Sequence, residues 1–102
     1  MSKQEIKEKI KEAVEKDPHN KDILRVSLFG SFVYGHPRED SDVDVLIEFK
    51  PENNIGFFEL FDIQENMERH VNRKVDLLTP ESISHFFRDK VLRQAEKIYE
   101  GK

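Results

Sequence analysis

The stretch Leu28-Phe29-Gly30-Ser31, followed after ten residues by Asp42-Val43-Asp44, decides the fold of this chain. Upstream of the glycine, Leu24, Val26 and Leu28 alternate with polar residues, which is the period-two pattern of a half-buried strand. Glycine adopts backbone angles that are closed to other residues and allows an anion to approach the chain. The sequence therefore predicts a strand that ends in a turn suited to a phosphate group.

The residues after the glycine predict a short helix and then a polar loop. Ser31 would begin a helix through about Tyr34, with free N–H groups and a hydroxyl aimed outward. Pro37 ends it, because proline lacks a donor and disfavours helical geometry at the residue before it. Gly30 and Ser31 are therefore the candidate phosphate ligands.

The next predicted strand runs from about Val43 to Phe49 and places two carboxylates on one face. Because side chains alternate along a strand, Asp42 and Asp44 lie side by side, opposite a hydrophobic face. Two carboxylates about 5.5 Å apart repel by about 3 kcal/mol at an effective dielectric constant of about 20, unless a cation bridges them. Such oxygen ligands suit Mg²⁺, which completes its shell with water and substrate phosphates. The alternative is a solvated polar strand end, and the preceding strand and Gly-Ser turn make it the weaker interpretation.

A third carboxylate lies further along the chain in a short apolar run. The segment 74–78, Lys-Val-Asp-Leu-Leu, is typical of a strand, and an aspartate within it is out of place unless it faces a site. Asp76 would then bind metal or accept a proton from an attacking hydroxyl. The alternative, a strand-end residue facing water, is equally compatible with the spacing.

These motifs resemble those of a known superfamily. Gly30-Ser31, Gly35, Asp40-Ser41-Asp42-Val43-Asp44 and the downstream Asp76 are similar to the DNA polymerase beta-type nucleotidyltransferases. More narrowly, the chain resembles the minimal nucleotidyltransferases, the MNT-type antitoxins encoded beside HEPN-domain toxins. The resemblance covers nearly the whole chain, including the helix around Phe57 to Val71.

The resemblance implies both a fold and a reaction. The fold is α/β (α+β), a small mixed β-sheet flanked by helices. Gly30 and Ser31 would contact the triphosphate of ATP, and Asp42, Asp44 and Asp76 would be the catalytic carboxylates that hold Mg²⁺. An acceptor hydroxyl would attack the α-phosphate and release pyrophosphate. MNT-type antitoxins use ATP to place AMP on a tyrosine of the HEPN toxin, which silences its ribonuclease activity.

The motif departs from the superfamily at one point. Many members carry Ala-Arg where this chain has Val33-Tyr34, and an arginine there would help to hold phosphates. Arg38 from the loop is one substitute for it. A hydrogen bond from Tyr34 to the substrate is the other, and the sequence leaves both open.

Composition limits what the chain can do alone. Its 102 residues, with 36% hydrophobic and 37% charged residues, predict one domain spanning residues 1–102 with a modest core. A partner protein or a homo-oligomer would have to complete any acceptor site. A net charge of −4 without a basic stripe argues against direct nucleic-acid binding. The chain has no cysteine, signal peptide or membrane-spanning apolar run, so we expect a cytoplasmic location.

The remaining segments predict scaffold helices. The first is amphipathic and ends before Asp17-Pro18. In the helix from Phe57 to Val71, one apolar side is expected to pack in the core, formed by Phe57, Leu60, Phe61, Gln64, Met67 and Val71. A last helix is expected to begin with Thr79 as N-cap and to extend through Tyr99. Its aromatic residues either wrap around the sheet, which we favour, or stay exposed for a partner: Phe86, Phe87 and Tyr99.

Three hypotheses for function follow. The first is a Mg²⁺-dependent adenylyltransferase acting on a HEPN-type toxin. The second is a catalytically weak antitoxin that neutralises its toxin by occlusion, which the missing arginine favours. The third is nucleotide transfer to a small molecule such as an aminoglycoside, which would need an acceptor pocket that this length hardly supplies unless a dimer provides it.

Overall fold

A computed structural model describes residues 2–30, 33 and 42–101 of the chain. In these ranges the elements are α1 (Lys3–Lys16), β1 (Ile23–Phe29), β2 (Val43–Phe49), α2 (Phe57–Val71), β3 (Val75–Leu78), α3 (His85–Gln94) and β4 (Glu96–Glu100). Short 3-10 turns occupy Asn20–Asp22 and Pro80–Ser82. The predicted strands at β1, β2 and β3 are confirmed, as is the end of the first helix before Asp17.

The four strands form one mixed sheet in the order β3-β2-β1-β4. The central strand β1 is antiparallel to both β2 and β4, whereas β2 and β3 are parallel. Phe29 pairs with Asp44, so the end of β1 lies beside the start of β2. The start of β3 lies at the same edge, because Val43 pairs with Val75. The Gly30 turn and the predicted acidic residues are thereby brought to one edge of the sheet.

One hydrophobic cluster joins α1 and α2 to a single face of the sheet. Its members come from both helices and all four strands: Ile6, Ile10, Ala13, Val14, Ile23, Val26, Leu28, Val43, Val45, Ile47, Ile63, Met67, Val71, Val75, Leu77 and Ile98. Removal of this apolar surface from water is the main source of stability, at about 25 cal/mol per Å². The hydrophobic side of β2 thus faces the helices, and Asp44 faces away from them.

Local signals fix the ends of the helices. Ser2 and Glu5 form a reciprocal capping box at the start of α1. At the start of α2, Glu59 accepts a hydrogen bond of 2.6 Å from the N–H group of Gly56. The helix α2 ends at Asn72, whose φ of 56° is left-handed and is tolerated by asparagine better than by most residues. The chain then reverses directly into β3.

The prediction of one last helix from Thr79 through Tyr99 is wrong at both ends. Thr79 and Pro80 begin only a 3-10 turn, and Ser84 caps the true helix by accepting a bond from the N–H group of Phe86. Helix α3 stops before Ala95, and the remaining residues form β4 along the free side of β1. Pairing with β1 satisfies backbone groups that a continued helix would leave exposed at that edge, so tertiary structure overrides the helical spacing.

The predicted burial of several aromatic side chains is also wrong. Phe57 is 81% exposed and Phe61 51% exposed, because the buried side of α2 is formed by Ile63, Met67 and Val71. On α3, Phe86 and Phe87 do not wrap around the sheet but remain largely exposed, and α3 buries none of its residues. Tyr99 is partly buried and packs against the core instead.

The predicted fold class is confirmed as a small mixed sheet with flanking helices. Organisation as a single domain over residues 1–102 stays a prediction. Within the described residues, no helix is both long and apolar enough to cross a membrane.

Candidate nucleotide and metal site

Gly30 ends β1 in a conformation that only glycine adopts at low cost. Its φ is +74°, in the left-handed region. A Cβ atom at this position would lie 2.8 Å from Cγ of Asp44 and nearer still to its Oδ2. The backbone and this carboxylate are therefore in direct contact, with no space for a side chain between them.

The residues predicted to continue the phosphate turn fall mostly outside the described ranges. Ser31, Tyr34 and Arg38, the predicted nucleotide ligands beyond Gly30, are among them, as are the short helix and the polar loop. Their roles stay predictions. Val33 is described, and its N–H group donates to the carbonyl of Gly30 over 3.0 Å. Its side chain packs against the core, so the residue in the alanine position of the motif is a core residue here.

Asp42 and Asp44 lie at the start of β2, as their spacing predicts. Both are partly buried, whereas Val43 between them is fully buried on the opposite face. Asp44 lies beside Phe29 of β1 on one side and beside Asp76 of β3 on the other. It therefore lies between the end of β1 and the start of β3, with its carboxylate against Gly30.

Asp76 is exposed and lies next to Asp44 in the parallel register of β2 and β3. Neighbouring strands are about 4.8 Å apart, and paired residues direct their side chains to the same face. The structure thus brings the three predicted carboxylates to one face and one edge of the sheet: Asp42, Asp44 and Asp76. Whether Asp76 binds metal or accepts a proton stays open.

A residue that the sequence analysis missed stands beside these carboxylates. Nζ of Lys74 is 3.8 Å from Oδ2 of Asp42. Its carbonyl also accepts a hydrogen bond of 2.9 Å from the N–H group of Val43, which fixes the backbone against β2. Lys74 precedes Asp76 by two residues, and this same-face spacing was the signal available in the sequence.

A second cation, toward the start of β1, is already engaged. Arg25 of β1 contacts Glu48 of β2 over 2.9 Å and Glu100 of β4 over 3.7 Å. The hydrogen bond and charge of Glu48 raise the pKa of Arg25 above its usual value. Arg25 thus links β1, β2 and β4. It is not oriented toward the end of the sheet that carries Asp42, Asp44 and Asp76, here called the acidic edge.

The donor set fits a metal that arrives with a nucleotide better than a metal bound alone. Within the described ranges, no three His, Cys, Asp or Glu side chains are gathered closely enough to enclose an ion. Mg²⁺, however, is usually held by one or two carboxylates together with waters and substrate phosphates. Asp42 and Asp44 supply such carboxylates at the end of β1 where Gly30 lies.

Two cavities lined by described residues lie away from this edge. One of about 250 Å³ is formed between the end of α1 and α2, around Asp17 and Asn66. Its buried carboxylate is satisfied, because the side chain of Asn66 donates to Asp17 over 3.0 Å. Another of about 370 Å³ lies where β2 and β3 end, next to Lys50 and Thr79.

Comparison with known proteins finds a family model and several relatives that match this chain. A family model described as "Polymerase beta, Nucleotidyltransferase" matches residues 8–102. A candidate protein adenylyltransferase of Methanocaldococcus jannaschii is 38% identical over 80 residues, which is 78% of this chain and 90% of the relative. The protein adenylyltransferase MntA of Thermococcus cleftensis is 32% identical over 72 residues, 71% of each chain.

Solved structures share the same architecture. The structure of a candidate minimal nucleotidyltransferase superposes on this chain with a TM-score of 0.76 at 27% sequence identity. The superposition covers 93% of this chain and 94% of the other. A complex of tri-AMPylated HEPN toxin with MNT antitoxin from Shewanella oneidensis has a TM-score of 0.67. At 17% identity, over 97% of this chain and 73% of that one, the second similarity indicates the fold alone. Nucleotidyltransferases of this fold generally use a divalent metal.

Proposed function

Because this chain belongs to the polymerase beta nucleotidyltransferase family, we propose that it transfers AMP from ATP to a tyrosine hydroxyl of a HEPN-type toxin, and so acts as an antitoxin. The observation that carries the proposal is the contact between Gly30 and Asp44, with Asp76 next in register. It combines a left-handed glycine at a strand end with carboxylates in a chain related to protein adenylyltransferases.

The reaction is an in-line displacement. The acceptor oxygen forms a bond to the α-phosphorus, the bond to the bridging oxygen breaks, and pyrophosphate leaves. Mg²⁺, when bound, would polarise the phosphate and offset the charge that develops on it. In this proposal Asp42 and Asp44 hold the ion and Gly30 leaves room for the phosphate chain. Asp76 accepts the proton of the attacking hydroxyl or is a further ligand of the metal.

The exposed aromatic residues support a protein acceptor. Phe57, Phe58, Phe86 and Phe87 are each at least 62% exposed, which is unusual for a domain of this size. Aromatic residues are enriched at the centres of protein interfaces.

Labelling of the toxin tests this function. The HEPN protein is incubated with this chain, Mg²⁺ and ATP carrying a radioactive α-phosphate, and its ribonuclease activity is measured in parallel. Asp42→Asn combined with Asp44→Asn is expected to abolish both labelling and neutralisation. The control combines Glu52→Gln with Asp62→Asn, two exposed positions that give the same change in net charge. It should label the toxin at the wild-type rate.

The outcomes separate the proposal from occlusion. If labelling is lost but the toxin remains neutralised, the chain acts by binding alone. The presence of Val33-Tyr34 where many family members carry Ala-Arg would favour this outcome. If labelling survives the loss of both carboxylates, the assigned catalytic residues are wrong. Replacement of the labelled toxin tyrosine by phenylalanine should remove the label and identifies the acceptor.

A further inference from the structure

Two cross-strand pairs of charged side chains lie next to each other at the acidic edge. Asp44 is paired with Asp76 in the register of β2 and β3. Asp42, two residues before Asp44, lies beside Lys74. Of these four side chains, three are carboxylates and one, Lys74, carries an ammonium group. Lys74 therefore supplies a positive charge beside Asp42, on the face that also carries Asp44 and Asp76.

We infer that Lys74 is a positioning residue that holds Asp42 before the metal arrives and competes with the divalent cation for that carboxylate. The inference rests on the proposed function in one respect, the assignment of Asp42 to the metal. Its consequence is that the cation binds weakly by itself and tightly only together with nucleotide, whose phosphates supply the missing ligands.

The geometry makes this competition direct. Nζ of Lys74 approaches Oδ2 of Asp42, and an oxygen that faces a lysine ammonium group at 3.8 Å is poorly available to a dication. The two positive charges would also repel each other at this distance. The side chain of Lys74 is 69% exposed on a flexible four-carbon stem, so it can move aside when the cation enters. Its backbone stays fixed by the bond from Val43.

The lysine also offsets repulsion within the free protein. Asp44 and Asp76 carry the same charge as Asp42 on the same face, and exposed charge pairs are individually weak but add up when several charges converge. Removal of the ammonium group takes away the ion pair that Lys74 makes with Asp42. A protein without Lys74 should therefore gain more stability from a divalent metal than the wild type does.

Binding of Mn²⁺ in the absence of nucleotide tests the inference. Titration followed by water-proton relaxation should show that Lys74→Met binds Mn²⁺ about three- to tenfold more tightly than wild type, with Lys74→Arg close to wild type. Mg²⁺ should raise the melting temperature of Lys74→Met more than that of wild type. In the labelling assay, the Mg²⁺ concentration for half-maximal rate should fall.

A matched control separates local competition from net charge. Lys97→Met removes an exposed lysine that pairs with Glu100 on β4 over 2.8 Å, two strands away from β2. It gives the same change in net charge and should leave Mn²⁺ affinity unchanged. Equal affinities for Lys74→Met and Lys97→Met overturn the inference, as does weaker binding in Lys74→Met, which would make Lys74 a support for the metal site.

A further variant distinguishes this failure from that of the proposed function. In an Asp42→Asn background, Lys74→Met should have no further effect on Mn²⁺ binding, because the carboxylate for which they compete is gone. If Asp42→Asn itself leaves Mn²⁺ affinity at the wild-type value, the metal assignment is wrong. If it lowers the affinity and Lys74→Met has no effect, only the role of Lys74 is wrong.

Discussion

Gly30 and Asp44 are in contact at the end of β1, where a carboxylate occupies the space that a side chain at residue 30 would need. The left-handed φ of Gly30 and this contact are separate constraints on the same residue. Together they favour glycine at the end of β1, against the carboxylate of Asp44. The geometry of the candidate site thus depends on the absence of a Cβ atom.

Replacement of this glycine should destabilise the protein. Gly30→Ala is expected to lower the free energy of unfolding by about 2 kcal/mol, since a left-handed residue costs about 1–2 kcal/mol and the collision with Asp44 adds to it. Urea unfolding measures the change. The control is Gly56→Ala, where φ is −102° and a Cβ would meet only the end of the Glu59 side chain, which can shift by rotation about its own bonds. Equal losses in both variants would contradict the role assigned to Gly30.

The exposed phenylalanines of α3 should matter for association but not for folding. Phe86→Ser and Phe87→Ser are each expected to change the free energy of unfolding by less than about 0.5 kcal/mol, as exposed positions do. Each should weaken the complex with the toxin about tenfold or more, which calorimetric titration would measure.

Met67→Ala provides the contrast for these two variants. Met67 is fully buried, so this change should cost about 2–5 kcal/mol of stability. If the α3 variants unfold as easily as Met67→Ala, α3 belongs to the core after all. Unaltered toxin affinity in both would place the interface elsewhere.

The contact between α1 and β4 should weaken in acid. The hydrogen bond from Lys3 to Glu96, at 2.9 Å, lowers the pKa of Glu96 below its usual 4.5, and the charges of Lys3 and Lys7 act in the same direction. A carboxyl whose pKa is lowered in the folded state stabilises the fold above its unfolded value, and this contribution is lost as pH falls through the folded pKa.

Stability should therefore fall below about pH 4.5 by less in Glu96→Gln than in wild type. The difference is expected to be under about 1 kcal/mol, because the pair is partly exposed. Urea unfolding at pH 7 and pH 3 measures it. Lys3→Met removes the partner and should reduce the pH dependence in the same way. An unchanged pH dependence in both variants would mean that this ion pair does not stabilise the fold.

A polar link should hold the last strand to the end of α1. The side chain of Asn20 donates to the carbonyl of Val14 over 2.8 Å and to the hydroxyl of Tyr99 over 3.0 Å. Tyr99→Phe should cost about 0.5–1.5 kcal/mol, and Asn20→Ala should cost more because it leaves two acceptors without this donor. Thermal unfolding of both single variants and the double variant measures the coupling. Additive losses would show that the two side chains do not interact.

Local patterns determined much of the fold and of the candidate site. Alternation identified β1 and β2, the glycine marked where β1 ends, and the two-residue spacing placed Asp42 and Asp44 on one face. These features depend on backbone geometry and on side-chain period, which neighbouring residues set. The short apolar run around Asp76 was sufficient to identify β3 for the same reason.

The tertiary structure alone decided which elements became neighbours. The sequence could not show that Asp76 is paired with Asp44, that Lys74 reaches Asp42, or that residues 96–100 leave the helix to pair with β1. It also misplaced the phenylalanines of α2 and α3, because an apolar stripe does not show which side the sheet will cover. Such pairings join residues far apart in sequence, and their free energy depends on strand edges and buried area that exist only once the chain has folded.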